Sequence, residues 1–336
     1  MPNWLQSLFS AHNNTPIPVD QYNENIEESI PAVVSRGLTW DQCNAINAHF
    51  YKWSFDSNAE SGADIHPAEK RILDTLDQLV KSRRSGADLV DRMPGVVPDI
   101  LRSLKTGNFS GAELSRKISH DVVLVQALLR CANSATYKSN QTITSIEHAI
   151  LIIGQEGLRQ LIAGVLFRPI ANMSSGRYTR LVAPRIWSQS ELCANANRML
   201  APDYHVEPFE AFLAGLIQNM GLVASLSIAD KISAGEETKC PAIFYEGLLG
   251  YARTLTCNIG REWCFPEAVI HAIGEQGNFA KQNLSPLGKV LADGDCLSKA
   301  RTLVNNNRLK EDDLEILKGL SDNALDCYQN LADIEK

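Results

Sequence analysis

Two neighbouring amides, Gln218 and Asn219, interrupt the apolar run FLAGLIQNMGLV at residues 212–223, which reads as a buried helix ending at Gly221. A His-Asp pair in that place would hold a divalent ion and activate a bound water, the chemistry of a metallohydrolase. Such an ion needs anionic oxygen or imidazole to be held firmly, and neutral amides are poor ligands. Other candidates are scattered along the chain. His271 and Glu275 are four residues apart and share a helical face, a spacing able to chelate one ion, yet no third ligand accompanies them. The literal pair His120-Asp121 stands at a helix start, where Asp121 is explained as a cap. His12, His49, His66, His148 and His205 have no ligand clusters around them. Cysteines 43, 131, 193, 240, 257, 264, 296 and 327 include no CxxC pair, and several lie in apolar stretches where a buried thiol is commoner than a ligand. Nucleophile elbow, GxGxxG and GxxxxGK[ST] motifs are all missing.

The elements that must position these residues have the helical period. TWDQCNAINAHFYKWSF places Cys43, Ile46 and Phe50 on one stripe, with Asn47 on the same face. AEKRILDTLDQLV follows, with Ile72, Leu73, Leu76, Leu79 and Val80 on one side and Pro67 at the first helical position. Short helices are predicted over PDILRSLK and after Ser110, where Glu113 completes a capping box. Asp121 caps VVLVQALLRCANSA. Thr144 and Glu147 form a second capping box, and Gly154 ends that helix before another begins near Glu156. RIWSQSELCANANRML, EPFEAFLAGLIQNMG, IFYEGLLGYARTLTCNI, EWCFPEAVIHAIGEQG, SPLGKVLADGDCLSKA, DDLEILKGL and a tail ending in ADIEK complete a wholly helical chain. No βαβ alternation appears. The expected organisation is an N-terminal extension at 1–82, a main domain at 83–282 and C-terminal helices at 283–336.

With 336 residues, 44% hydrophobic and 21% charged, the chain is a globular protein of one large or two ordinary domains. A net charge of −7 and an isoelectric point near 5.6 give no general attraction for nucleic acid or anionic lipid. The start MPNWLQSLFSAHNN is unlike a signal peptide, and the longest apolar runs read as too short to span a bilayer. A cytoplasmic location is the expectation.

The stretch DVVLVQALLRCANSATYKSNQTITSIEHAILIIGQEGLRQLI resembles the HDOD family, the "HD-related output domain" of bacterial signalling proteins. Asp121, Asn133, Ser134, Ala135, Tyr137, Ile143, Ser145, Ile146, Ala149, Ile150 and Gly154 match its pattern. Val122 replaces a customary proline and Ile153 a leucine. MPGVVPDILRSL resembles the family's start, and AFLAGLIQNMG its Gly-Leu-Leu-His-Asp-Ile-Gly, whose last glycine is Gly221. The resemblance covers roughly residues 86–280 and implies an all-α fold. Read from the residues alone, Asn133, Ser134 and Tyr137 have structural parts to play at the end of an apolar helix.

In the family's frame Gln189 falls at the first histidine of the related HD phosphohydrolases, and Gln218 and Asn219 at their His-Asp pair. Arg253 falls near another histidine, and Glu275-Gln276 near a final pair. The resemblance therefore implies a vestigial metal site, no cofactor, and a non-catalytic signalling module that acts by protein–protein contacts. A histidine kinase or a nucleotide-signalling enzyme is the expected partner. Two alternatives stand beside it: a divergent metal-dependent phosphohydrolase acting on a nucleotide or phosphodiester, and a sensor holding a small-molecule ligand in the old metal cavity. The appended helices, with aromatics such as Trp53 and Tyr328, are the expected contact surface.

Overall fold

The computed structural model describes residues 39–60, 62–82, 115, 118–119, 122–133, 143–171, 176–233, 235–277, 283–310 and 319–333. Those residues form an all-α structure with no strand among them. The elements predicted over PDILRSLK and around Ser110–Glu113, the pair His120-Asp121, and Ser134, Tyr137 and most of DDLEILKGL lie outside the described residues.

Helix α1 (Trp40–Ser54) opens with a capping box in which Thr39 and Gln42 satisfy each other's main-chain N–H groups. Its predicted stripe of Cys43, Ile46 and Phe50 is buried. Helix α2 (Pro67–Lys81) starts at Pro67 and is capped by His66, whose Nδ1 accepts from the Ala68 N–H. Ile72 and Leu76 are buried from it, while Leu73, Leu79 and Val80 pack around the edge of the same cluster. Both helices rest on the main body, as their apolar stripes require.

Helices α3 (Val122–Ala132) and α4 (Ile146–Ala171) pack together. Asn133 clips the loop between them: its amide donates to the Ile143 carbonyl at 2.8 Å and accepts the Ile143 N–H at 2.8 Å. The predicted cap of α4 moves by one residue. Ser145, not Thr144, accepts from the third N–H of the helix, that of His148, while Glu147 instead accepts from Ser115. Ser145 wins because the first turn starts one residue later than the Thr-x-x-Glu spacing suggests. The break expected at Gly154 is present: two helical segments of α4 meet there across a kink, with Gly154 at φ +72° and ψ 173°, a backbone region open essentially to glycine alone.

The centre is built by α5 (Arg177–Leu200), α6 (Pro208–Ile217), α7 (Met220–Ser233) and α8 (Ala242–Glu262). A 3-10 turn (Ala201–Tyr204) joins α5 to α6, and Glu207 caps α6 through the Glu210 N–H. The run Pro208–Ser233 is apolar and long enough by composition to cross a membrane, with a mean hydropathy of 1.6, yet 89% of its most apolar window is buried inside the protein. Its helix breaks at Gln218-Asn219, where the two amides sit. Gly221 is forced by close approach, because a Cβ there would stand 2.0 Å from the Ala252 carbonyl oxygen of α8.

Helices α9 (Glu267–Glu275), α10 (Pro286–Asn305) and α11 (Asp322–Asn330) close the other side. Against expectation, Tyr328 is not an exposed aromatic. It is 5% exposed, with the Arg301 guanidinium over its ring at 3.9 Å. Trp53 is likewise engaged, beneath Arg185 of α5 at 4.6 Å. A short helix with few apolar positions spends them on the body it caps.

Candidate functional site

Gln189 lies midway along α5, Gln218 at the end of α6 and Asn219 at the α6–α7 break, and the fold brings all three together. They meet Asp295 of α10. Gln189 Nε2 donates to Asp295 Oδ1 at 3.0 Å and to Ser298 Oγ at 2.9 Å. Gln218 Nε2 donates to the same Asp295 Oδ1 at 3.1 Å and to Cys193 Sγ at 3.1 Å. Asn219 Nδ2 in turn donates to Gln189 Oε1 and to Ser190 Oγ, both at 3.0 Å.

The direction of every amide follows from one residue. Asp295 is acceptor-only when ionised, so Gln189 and Gln218 must turn their N–H groups towards it. That turns Gln189 Oε1 away, where Asn219 supplies the donor it needs. The second carboxylate oxygen, Oδ2, accepts from Lys299 Nζ at 2.6 Å, one turn further along α10. Lys299 is 3% exposed and also donates to Asn47 Oδ1 of α1 at 2.7 Å, with its ammonium 4.7 Å from the centre of the Tyr51 ring.

Burial alone would depress the Lys299 ammonium, but the attraction of Asp295, joined by Tyr51, prevails and holds its pKa above the ordinary lysine value. Cys193 is pushed the other way for a nucleophile. Burial, and then the negative charge of Asp295, raise its pKa well above the usual thiol range, so it is a protonated thiol. It donates to Asn197 Oδ1 at 3.8 Å.

Donor chemistry settles whether a divalent ion suits these residues. Asp295 is the one anionic oxygen donor among the residues named in this network, and an ammonium and two amide N–H groups already face it. An incoming cation would meet N–H groups and a positive charge, so the residues do not fit a metal. Among the described residues no group of three or more His, Cys, Asp or Glu side chains is placed to hold one.

The remaining sequence candidates fall elsewhere. Arg253 lies half-buried on α8 with its guanidinium against Gly277, and the cation within the amide cluster is Lys299. His271 and Glu275 do pair at 3.2 Å along α9, but His271 is largely exposed. Glu275 is occupied by the start of α10, accepting from Ser285 Oγ at 2.7 Å and from the Ser285 N–H. Gln276 ties the same junction by donating to the Gly288 carbonyl at 3.0 Å. Asn133 and Gly154 shape the α3–α4 pair, and Gly221 seats α7 on α8.

Sequence reasoning missed Asp295, Lys299, Ser298, Asn47, Cys193 and Ser190. A signal for the first two was present: two opposite charges four apart in LADGDCLSKA, on a helix buried on most sides. Space beside the cluster is small. An apolar cleft lined by Phe167, Ile186, Trp187 and Met220, with Ser190 and Asn219 at its polar edge, encloses about 10 Å³, room for about one water.

Comparison with known proteins bears on the family and the fold. The family model of the HDOD domain matches residues 90–279. An uncharacterised protein of Treponema pallidum (strain Nichols) is 23% identical over 237 residues, covering 66% of this chain and 45% of that protein, so the match spans less than half of the relative's length. Among solved structures, an HDOD domain protein of unknown function from Geobacter sulfurreducens superposes with a TM-score of 0.52 at 17% identity, covering 77% of this chain and 98% of that one. A candidate metal-dependent phosphohydrolase from Shewanella amazonensis SB2B gives a TM-score of 0.52 at 17% identity, over 80% and 99% of the two chains. At such identities the two structures bear on the fold alone.

Proposed function

Because the chain belongs to the HDOD family, whose members are associated with signal transduction, we propose that it is a non-catalytic regulatory module that works through protein–protein contacts. One observation carries this reading. Gln189, Gln218 and Asn219, at three of the HD ligand positions, spend their side chains on one another, on Asp295 and on neighbouring Ser and Cys side chains. Hydrolysis of a nucleotide or phosphodiester would need a metal-bound water, and Gln189, Gln218 and Asn219 supply no ligands for that ion. The likeness to a candidate phosphohydrolase does not offset this, since fold does not carry chemistry without the site.

The same pairing argues against a sensor of small molecules at this position. An organic ligand needs a pocket of several hundred Å³ with polar groups free to orient it, whereas these groups face inward and are already matched. A partner protein is the better fit, a histidine kinase or a nucleotide-signalling enzyme being the proposed class. The net charge of −7 disfavours nucleic acid, and the apolar run Pro208–Ser233 is spent in the core, where 89% of its most apolar window is buried.

The contact surface needs fresh placement, since Trp53 and Tyr328 are used internally. Among the described residues the exposed large apolar side chains are Leu151 of α4, Ile243 of α8 and Trp40 of α1. The test is direct binding of the purified full chain to each histidine kinase and nucleotide-signalling enzyme of its source cell. A parallel assay follows phosphodiester hydrolysis with manganese, iron and magnesium. Saturable binding to one of these proteins without turnover is expected. Stoichiometric metal together with turnover would sink the reading.

A further inference from the structure

We propose that the HD position in this fold is a cation site the protein fills from its own sequence: the Lys299 ammonium is the resident cation, and by holding Asn47 and Tyr51 it fastens the N-terminal helix α1 over the site. This concerns how the site is occupied, and it holds whether or not the partner reading does.

Asp295 sits mid-way along α10, away from the helix N-terminus that would stabilise a carboxylate through its free N–H groups. Its side chain is 19% exposed. Three donors converge on it, the amides of Gln189 and Gln218 and the Lys299 ammonium, an arrangement that resembles a shell built around a charge pair rather than a set of unrelated core contacts. A metal in such a site would be held by several side chains from different helices. Here a single positive charge reaches the carboxylate the amides share from α10 itself, four residues beyond its counter-ion, on the oxygen they leave open.

The remaining shell of that ammonium comes from α1. Asn47 accepts its proton at 2.7 Å, and the faces of Tyr51 and Phe50 lie 4.7 and 5.6 Å from it. Phe50 belongs to the buried stripe with Cys43 and Ile46, and the half-buried Asn47 on the same face has in Lys299 a partner that explains it. Removing the ammonium therefore takes the counter-charge from Asp295 and the anchor from α1 in one step.

The test uses the full chain with Lys299→Ala. A fall in melting midpoint of about 5–10 °C is expected from breaking a buried pair in a chain of this size. Methylammonium chloride should restore part of that fall in a dose-dependent way, while equal sodium chloride or tetramethylammonium should not, and the wild type should respond to none of them. Equal restoration by all three salts, or none by methylammonium, overturns the proposal. If Lys299→Ala does not fold, Lys299→Met, Asp295→Asn and their double variant replace it. The double variant should be more stable than either single one, and costs that merely add overturn the idea. Amide hydrogen exchange reads the fastening: residues 40–54 should lose protection in Lys299→Met while residues 177–200 keep theirs. Unchanged protection of 40–54 would refute the anchoring of α1.

Discussion

Lys299 and Arg301 stand two residues apart on α10 and are each 3% exposed, yet the protein buries their charges by different means. Lys299 faces a full negative charge, Asp295, and then the polar and aromatic groups of α1. Arg301 donates to the Tyr328 carbonyl of α11 at 3.0 Å, and its guanidinium carbon lies over the Tyr328 ring, 3.9 Å from the centre. The contrast follows from the two cations. An ammonium is compact and strongly hydrated, so losing water is tolerable beside a carboxylate. A guanidinium is delocalised and weakly hydrated, and an aromatic face with a carbonyl at the rim suits it. One helix thereby fastens both appended ends of the chain, by a charge pair on one side and by stacking on the other. Arg185 repeats the second device on α5, lying over Trp53 at 4.6 Å and donating to the Ser54 carbonyl at 3.1 Å.

The largest effect should come from the charge pair. Asp295→Asn keeps the bulk of the side chain but leaves a buried ammonium without its counter-ion, and a loss of about 3–5 kcal/mol in urea unfolding is expected. Tyr328→Leu is the matching change on the other side, since it keeps apolar bulk and removes the ring beneath Arg301. That should cost about 1–2 kcal/mol. Were Tyr328→Leu as costly as Asp295→Asn, the distinction between pairing and stacking would fail. Arg301→Lys sharpens it further. The compact ammonium would lose the delocalised face that Arg301 sets over the Tyr328 ring, and about 1 kcal/mol should be lost.

Much of this was legible in the sequence, and the rest was hidden for a physical reason. Gly154 and Gly221 could be read because glycine answers local geometry, a positive φ in one case and a helix contact in the other. Gln189, Gln218 and Asn219 could be placed because the family frame fixes which turn of which helix each occupies. Nothing local announces that Asn47 meets Lys299, which lies 252 residues away. Arg253 falls near a vanished ligand in the family frame, but its side chain points to the end of α9. Tyr328 looked exposed because DNALDCYQN is short and polar, and only the packing of Ala324, Cys327 and Tyr328 on α5 and α10 shows which face is inward. Side-chain pairing between distant helices is the part a pattern of residues along the chain does not contain.

The smallest effect expected near neutral pH is that of titration, which separates the two ends of the molecule in another way. On the α11 side, Cys327 is pushed up to about 12 by burial, against the opposing pull of Arg198, from an ordinary value of 9.0. Its raised pKa favours the neutral thiol in the folded state, so its contribution is fully present below pH 9 and is lost as pH rises towards 12. Lys299, also raised, contributes fully below the ordinary lysine value of 10.5 and loses that contribution only at still higher pH. On α1, His49 is lowered by burial and by Lys52. Its contribution is present above its ordinary value of 6.5 and is lost as pH falls through the depressed value. These three groups therefore leave stability level between about pH 7 and 8.5. Urea unfolding at pH 7, 8.5 and 10 checks this. Cys327→Ala should lessen the alkaline decline without abolishing it, because the buried thiols of Cys193, Cys240 and Cys257 are raised by burial as well, whereas the Asp295→Asn/Lys299→Met double variant should keep the Cys327 share. A decline at pH 10 that vanishes in the double variant and persists undiminished in Cys327→Ala would place the alkaline sensitivity at the Asp295–Lys299 pair instead of at the buried thiol of α11.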